Sequence, residues 1–165
     1  MGNDPLNLLK RFTIPIWEIL KPRGFKKKGF KFVADSGDVL LIVQLQSSTS
    51  STSSQKVLTA NLGVFSKTLS GKMGYQISEP TVWDGHWQER LGWLMKDPSD
   101  KWWTVSAEDE AQAAGLEVAG LLKEVGIPLI ESLNSTERLR ELWQSGKFPG
   151  ITQTQRDDYL AYLAK

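Results

Sequence analysis

The sequence predicts an α+β protein, in which an antiparallel sheet of about five strands packs against helices from both ends of the chain. Three observations support this prediction. Strand patterns cluster in the first two-thirds of the chain, apolar residues at helical spacing lie at both ends, and neither an internal repeat nor a domain boundary is visible. We therefore predict that residues 1–165 form a single domain, with two hairpins and a central strand in its sheet.

An N-terminal helix is the first expected element. Asp4 and Pro5 are typical of an N-cap and of the first residue of a helix. Apolar residues then recur at helical spacing until Pro22 and Gly24 end the helix. We expect Pro15 to kink or split it, because proline removes a backbone hydrogen bond.

Three strands are expected next. Alternation on either side of the "DSGD" turn predicts a hairpin over residues 30–46, and residues 57–65 are predicted to be a third strand. The Ser/Thr-rich stretch at 47–56 is predicted to be a loop. Residues 66–82 lack periodicity, which predicts a second long loop.

The segment from Trp83 to Trp103 has two interpretations. A helical stripe would contain Trp83, Trp87, Leu91 and Leu94. Gly92 weakens a helix, however, and the turn before the β-favouring "KWWTV" suits a second hairpin. We predict the hairpin.

The remainder of the chain is predicted to be helical. Gly126 and Pro128 should break or bend the first run, and Gly146 should end the next one. Three pairs of residues are expected to cap helices: Ser106 with Asp109, Asn134 with Glu137, and Thr152 with Gln155.

The composition excludes several classes of function. The 165 residues carry a net charge of +1 and include no cysteine. Disulfides, thiol catalysis and thiolate metal sites are therefore excluded, and no global charge attracts nucleic acid or an anionic membrane. The sequence shows no signal-peptide pattern and no apolar run near the roughly 20 residues that span a bilayer. We expect a soluble, cytoplasmic protein without a cofactor or a metal site.

Five of the seven tryptophans lie within residues 83–103. Burying one indole of about 200 Å² contributes roughly 5 kcal/mol, whereas a domain of this size is stable by only about 8 to 25 kcal/mol, so most of them should be core. Adjacent Trp102 and Trp103 point to opposite faces of a strand, which leaves one of them for recognition if no helix covers that face. The predicted binding surface contains His86, Arg90, Lys101, Trp102 and Trp103.

His86 is the only histidine, and histidine is the commonest general base. Asp84 and Glu89 are nearby acids. On a helix His86 and Arg90 would be neighbours, but on a strand they are about 13 Å apart. No serine–histidine–acid pattern is legible, and a single histidine without cysteine excludes a histidine-rich zinc site. We interpret His86 as a structural or solvated residue, with catalysis as the alternative.

A basic stretch, "FKKKGFK", places Lys26, Lys27, Lys28 and Lys31 beside two phenylalanines. Basic and aromatic residues together can bind phosphate backbones. The net charge of only +1 favours a solvated turn that leads into the first strand. Nucleic acid is therefore not the expected partner.

Four stretches follow one another along the chain: "LKPRGFKKKGFKF", "TANLGVFS", "HWQERLGWLM…DKWWTV" and "GITQTQRDDYLAYL". In this order they resemble a bacterial family defined only as domain of unknown function 4304. The resemblance spans nearly the whole chain. It implies a small soluble bacterial protein, and it implies no activity and no catalytic residues.

Two classes of function follow from these observations. The first is a non-catalytic binding protein, with an immunity- or adaptor-like role by analogy of fold. The second is a small enzyme, a hydrolase or a transferase, that uses His86 with Asp84 or Glu89. The surplus of aromatic residues and the lack of a legible catalytic pattern favour a binding protein with a protein partner.

Overall fold

The computed structural model describes residues 5–147 and 150–165. Its helices are α1 (Pro5–Leu20), α2 (Lys67–Met73), α3 (Glu108–Leu121), α4 (Ile127–Ser132), α5 (Thr136–Gln144) and α6 (Gln153–Leu163). Its strands are β1 (Lys26–Lys28), β2 (Lys31–Ser36), β3 (Val39–Ser47), β4 (Lys56–Ser66), β5 (Trp87–Arg90) and β6 (Trp103–Val105). The predicted α+β class is confirmed.

All strand pairs of the sheet are antiparallel. The strands follow the order β1-β2-β3-β4-β5, and β6 also pairs with β4. The predicted hairpin of β2 and β3 is confirmed, with Ser36 opposite Val39. Strand β4 pairs with β3 along one side and with β5 and β6 along the other, so three strands pair with it.

The prediction of a second hairpin is wrong. Strands β5 and β6 do not pair with each other; both pair with β4, β5 beside Asn61–Val64 and β6 beside Lys56–Leu58. Both strands run antiparallel to β4, so they point in the same direction, whereas the strands of a hairpin are antiparallel to each other. After the 3₁₀ turn at Leu91–Leu94, the chain continues along β4 instead of reversing.

Two further elements differ from the sequence-based expectation. The predicted loop at 66–82 contains helix α2, which begins because the side chain of Ser66 accepts a hydrogen bond from the N–H of Leu69 at 2.9 Å. Strand β1 was predicted as part of a turn. It pairs with β2 through a tight connection in which Gly29 has a φ of 62°.

The helix caps are confirmed at only one of three positions. Thr152 and Gln155 form the predicted capping box of α6. The other two helices begin one residue later than predicted, with Ala107 and Ser135 as the N-cap residues of α3 and α5. At Ser135 the hydroxyl accepts the capping hydrogen bond, a role predicted for the preceding asparagine.

Helix α1 continues through Pro15 without being split, and its predicted N-cap Asp4 lies outside the described residues. It packs closely against α3. A Cβ on Gly115 would lie 2.3 Å from the carbonyl oxygen of Phe12, so only glycine allows this approach. Beyond α3, the predicted break at Gly126 is a π-helical turn over Leu122–Gly126, which α4 follows.

The main core lies between one face of the sheet and the helices. Leu62 and Val64 of β4 pack there with Phe12 of α1 and Val118 of α3. The other face carries a smaller apolar cluster of Ile42, Phe65 and Val82. Within residues 5–147 and 150–165, no helix is both long enough and apolar enough to cross a membrane.

Candidate functional site

The tryptophans include a buried group and an exposed pair. Trp87, Trp103 and Trp143 are buried in the core, whereas Trp83 and Trp93 are 51% and 49% exposed. Burial of an indole strongly favours folding, because the ring is large and mostly apolar. Core packing therefore does not explain why this segment carries two half-exposed tryptophans.

Trp83 is held at the surface by a short 3₁₀ turn, Val82–Asp84. The backbone N–H and the hydroxyl of Thr81 both donate to Oδ2 of Asp84, at 2.8 and 3.1 Å. Nε2 of Gln88 donates to the carbonyl oxygen of Trp83 at 3.2 Å, which ties the turn to β5. The exposed indole is thus attached to a backbone that hydrogen bonds fix on both sides.

Trp93 lies on the 3₁₀ turn that follows β5. Side chains two residues apart on such a turn point in different directions, so Leu91 is buried while Trp93 is exposed. The N–H of Ser99 donates to the carbonyl oxygen of Gly92 at 3.1 Å, and a Cβ on Gly92 would lie 2.3 Å from the carbonyl oxygen of Ser99. Glycine is therefore required where the returning loop packs on the turn.

The two exposed tryptophans border one shallow cleft of about 160 Å³. We call this the tryptophan cleft, and its other lining residues are Asn61, Gln88, Glu89, Arg90 and Gly150. Sites for cofactors and drug-sized ligands typically measure about 300 to 1,000 Å³. The cleft is therefore the right size for a single side chain and too small for a cofactor.

The guanidinium of Arg90 is held by three side chains on the same face of the sheet. Nη1 donates to Asp100 at 2.6 Å, Nη2 to Gln46 at 3.1 Å and Nε to Asn61 at 3.2 Å. The guanidinium carbon also lies 4.7 Å from the ring centre of Trp102. The hydrogen bond from Arg90 lowers the pKa of Asp100, so the pair stays ionised at neutral pH.

The structure places the five residues of the predicted binding surface in different environments. Arg90 lines the tryptophan cleft, and half-buried Trp102 lies under its guanidinium. Trp103 and His86 are buried, and Nζ of Lys101 lies 5.5 Å from the ring centre of Trp103. Arg90 and Trp102 are thus brought together, whereas His86 and Trp103 present no accessible surface.

Sequence reasoning missed both exposed tryptophans. Trp83 and Trp93 fit an apolar pattern as well as their buried neighbours do, so periodicity alone assigns them to the core. The usable signal was the glycines nearby, Gly85 two residues after Trp83 and Gly92 just before Trp93, which indicate turns on either side of a short strand.

His86 lies in the interior, with only 1% of its surface exposed. Its Nδ1 accepts a hydrogen bond from the backbone N–H of Ser66 at 3.0 Å, so the proton of the neutral ring is on Nε2, which lies 2.7 Å from the hydroxyl oxygen of Tyr75. Ring centres of Phe65 and Tyr159 lie 5.0 and 5.2 Å away. We call the following side chains the His86 cluster: Phe65, Tyr75, His86, Trp143 and Tyr159.

This geometry does not suit His86 to act as a general base. Burial lowers the pKa of His86 to about 4, although the charge of Asp84 opposes the shift. Neither ring nitrogen offers a free lone pair, because Nδ1 is an acceptor for a backbone N–H and Nε2 carries the proton. The carboxylate of Asp84 closes the capping box of Thr81, and Glu89 lines the tryptophan cleft.

The described residues, 5–147 and 150–165, contain no group of three or more His, Asp or Glu side chains placed to hold a metal ion. The donor atoms that come closest to such a site are already used. Nδ1 of His86 and the carboxylate of Asp84 each accept a backbone hydrogen bond. Coordination there would require these hydrogen bonds to break.

The predicted basic stretch lines a separate groove of about 490 Å³ at the β1 end of the sheet. Lys28 forms an ion pair with Glu79, which lowers the pKa of that carboxyl. Nζ of Lys31 donates to the carbonyl oxygen of Pro80 at 3.0 Å. Contacts within the protein thus occupy two of the four lysines, and the exclusion of nucleic acid as a partner stays a prediction.

The chain matches the family described as "Domain of unknown function (DUF4304)" over residues 16–132, which is more than half of its length. The chain belongs to the DUF4304 family. The resemblance seen in the sequence motifs is confirmed over this range. Searches among curated proteins and among solved structures found no match to the chain.

The range that matches DUF4304, residues 16–132, contains the two exposed tryptophans but only part of the His86 cluster. It contains all six strands, and with them Trp83, Trp93 and His86. Trp143 and Tyr159 lie beyond it, on helices α5 and α6. The exposed tryptophans are therefore part of the DUF4304 region, whereas part of the cover over His86 comes from the chain that follows it.

Proposed function

We propose that this protein is a non-catalytic binding protein that recognises a protein partner through the tryptophan cleft. The observation that carries the proposal is the exposure of Trp83 and Trp93, which both line one cleft. Tryptophan and arginine dominate the binding energy of protein interfaces, and Arg90 lies between the two indoles in the chain and lines the same cleft.

The rigidity of the surface supports this proposal. Hydrogen bonds to Asp84 and Gln88 fix the turn that carries Trp83, and the contact of Ser99 with Gly92 fixes the turn that carries Trp93. An anchor that is ordered before binding loses less conformational freedom when its partner arrives. The two indoles therefore suit recognition better than side chains on loose loops would.

The alternative, a hydrolase or transferase centred on His86, has less support. Such an enzyme needs a base with a free lone pair that substrate can reach. The hydrogen bonds of His86, its burial and its lowered pKa all oppose this role. The finer proposal is an immunity- or adaptor-like role in the bacterial cytoplasm, which rests on analogy with small α+β binding proteins.

A quenching experiment tests whether the surface is accessible. We expect acrylamide to quench a fraction of the tryptophan fluorescence, and Trp83→Phe and Trp93→Phe each to remove part of that fraction. Trp143→Phe is the matched control, because Trp143 is fully buried. If the quenchable fraction is unchanged in both surface variants, the cleft is closed in solution and the proposal fails.

A capture experiment tests the function itself. The wild-type protein and the Trp83→Ala/Trp93→Ala double variant are used as baits in a lysate of the source organism, and bound proteins are quantified by mass spectrometry. We expect at least one partner to bind the double variant about 30-fold or more weakly, since a hot-spot tryptophan contributes about 2 kcal/mol or more. Leu116→Ala is the control, because Leu116 is equally exposed but lies on α3. A partner set that is the same for all three baits would overturn the proposal.

A further inference from the structure

The charge of the segment that carries the tryptophan cleft differs from the charge of the whole chain. Between Trp83 and Trp103 there are four carboxylates and three basic residues, whereas the whole chain has a net charge of +1. The charged residues that line the cleft are Glu89 and Arg90, and Arg90 is paired with Asp100, so Glu89 supplies the unpaired charge of the cleft. Opposite charges across an interface steer the partner and exclude wrong ones.

Arg90 does not make the cleft a site for anions. Its guanidinium is already paired with Asp100 at 2.6 Å, and it donates further hydrogen bonds to Asn61 and Gln46. Only 22% of the Arg90 side chain is exposed. The charge of Arg90 is therefore used to hold the sheet face together.

Glu89 is the carboxylate that lines the cleft, and its basic neighbour Arg90 is paired with Asp100 instead. Among the described residues, no lysine or arginine side chain forms an ion pair with it. Its carboxylate accepts a hydrogen bond from the backbone N–H of Arg90 at 3.2 Å. The side chain is half-buried, and burial raises its pKa. The neighbouring charge of Arg90 lowers the pKa of Glu89 less than burial raises it, so a cation bound directly beside this carboxylate would stabilise its charged form.

We propose that the tryptophan cleft binds an arginine side chain of the protein partner, with Glu89 as the counter-ion and the indoles of Trp83 and Trp93 as stacking surfaces. The faces of aromatic rings attract cations, and tryptophan attracts them most strongly. The planar guanidinium can stack on an indole while it donates to a carboxylate. The volume of about 160 Å³ suits one such side chain.

This inference rests on the proposed function, because the arginine belongs to the partner. It goes further by naming the chemistry that the partner must present. It also assigns a role to Glu89 that the enzyme interpretation would not. In catalysis, Glu89 would need a reacting group beside it. In recognition of a partner, Glu89 needs only a carboxylate charge that is unpaired at the cleft.

The test uses N-acetyl-arginine amide as the probe and the citrulline analogue, which is neutral and nearly the same shape, as its control. Binding is followed by the indole N–H signals in ¹⁵N NMR spectra, with Trp83→Phe and Trp93→Phe to identify the two signals. We expect saturable shifts of these signals with a Kd on the order of 1 to 10 mM, as befits one isolated side chain. The citrulline analogue should bind about tenfold more weakly or not at all.

Two variants separate the counter-ion from general charge effects. Glu89→Gln keeps an acceptor for the N–H of Arg90, and we expect it to weaken binding of the arginine probe about tenfold. Asp97→Asn removes a charge from an exposed residue of the same segment and should leave the Kd within about twofold. Equal responses to arginine and citrulline, or a Glu89→Gln variant with unchanged affinity, would overturn the inference.

The inference and the proposed function can fail separately. If the tryptophan variants lose a captured partner but the arginine probe does not shift the two indole signals, the protein binds through the cleft without a cation, and the arginine inference is wrong. If the probe binds with the expected dependence on Glu89 while capture is unaffected by the tryptophan variants, the cation site stands and the proposed function fails.

Discussion

The His86 cluster and the tryptophan cleft arise from the same short segment but face opposite environments. His86 and Trp87 point into the interior, whereas Trp83 and Trp93, a few residues to either side, are half-exposed. Both regions are rich in aromatic rings and polar groups. The difference is that the cluster is covered by α5 and α6, while no described element covers the cleft.

Cover by neighbouring elements determines whether a polar side chain in these two regions is available to a ligand. In the cluster, Nδ1 of His86 accepts a hydrogen bond from the backbone N–H of Ser66, and Nε2 donates to the hydroxyl oxygen of Tyr75. In the cleft, Glu89 forms no ion pair within the described residues, because its neighbour Arg90 is paired with Asp100. A satisfied buried group stabilises one structure, whereas an unpaired group at a surface remains available to a ligand.

Trp143→Ala should change the free energy of unfolding more than any other change predicted for these two regions. Trp143 is fully buried and its ring centre lies 5.3 Å from that of Tyr159, so removing the indole leaves a cavity. We expect the free energy of unfolding to fall by about 3 to 5 kcal/mol, measured by urea denaturation.

Trp143→Phe is the control for this loss. No described atom accepts a hydrogen bond from Nε1 of Trp143, so phenylalanine removes volume without removing a hydrogen bond. Its cost should be about 1 to 2 kcal/mol. Equal losses for the alanine and phenylalanine variants would show that cavity size does not govern this region.

The second largest effect on stability should come from pH, through the titration of His86. The pKa of His86 is about 4 in the folded state, against an ordinary value of 6.5, so the unfolded chain binds a proton that the folded chain does not. This contribution to stability is complete above pH 6.5 and is lost as the pH falls toward 4, at about 1.4 kcal/mol per pH unit and about 3 kcal/mol in all.

NMR titration of the imidazole checks this directly, because the chain has a single histidine. We expect its ring signals to remain those of the neutral form down to about pH 5 in the folded protein. The difference in stability between wild type and His86→Gln should also change over the same pH range. A midpoint near 6.5 in the folded protein would contradict the burial of His86.

Trp83→Ala and Trp93→Ala should have the smallest effect on stability. Both indoles are half-exposed, so we expect each change to alter the free energy of unfolding by no more than about 0.5 to 1 kcal/mol. Urea denaturation beside Trp143→Ala provides the comparison. A loss as large as that of Trp143→Ala would mean that the two indoles are core, and the cleft would no longer be a recognition surface.

Much of the fold could be predicted from local patterns. The turn at Gly37 and the alternation around it define the β2–β3 hairpin, and the Thr152–Gln155 pair defines the start of α6. The assignment of residues 1–165 to a single domain stays a prediction. The pairing of β5 and β6 with β4 could not be read locally, because it depends on which strand edge is free in three dimensions.

The candidate site was predicted less well, for a physical reason. The sequence identifies tryptophan as a residue that folding prefers to bury, but it does not say which rings the other elements cover. Trp102 and Trp103 do differ in burial as expected, although β6 begins only at Trp103. The exposed pair instead lies on two 3₁₀ turns, where side-chain direction depends on turn geometry.

The close crossing of α1 and α3 at Gly115 has a consequence for synthesis of the chain. Helix α1 ends at Leu20 and α3 begins at Glu108. At a translation rate of roughly 5 to 20 residues per second, about 90 residues take about 5 to 20 s to be made, and the ribosome shields the newest of them. During that time the apolar face of α1, which includes Phe12, has no α3 to cover it. We therefore expect the nascent chain to expose this apolar face, and to be open to aggregation through it, until α3 has been made.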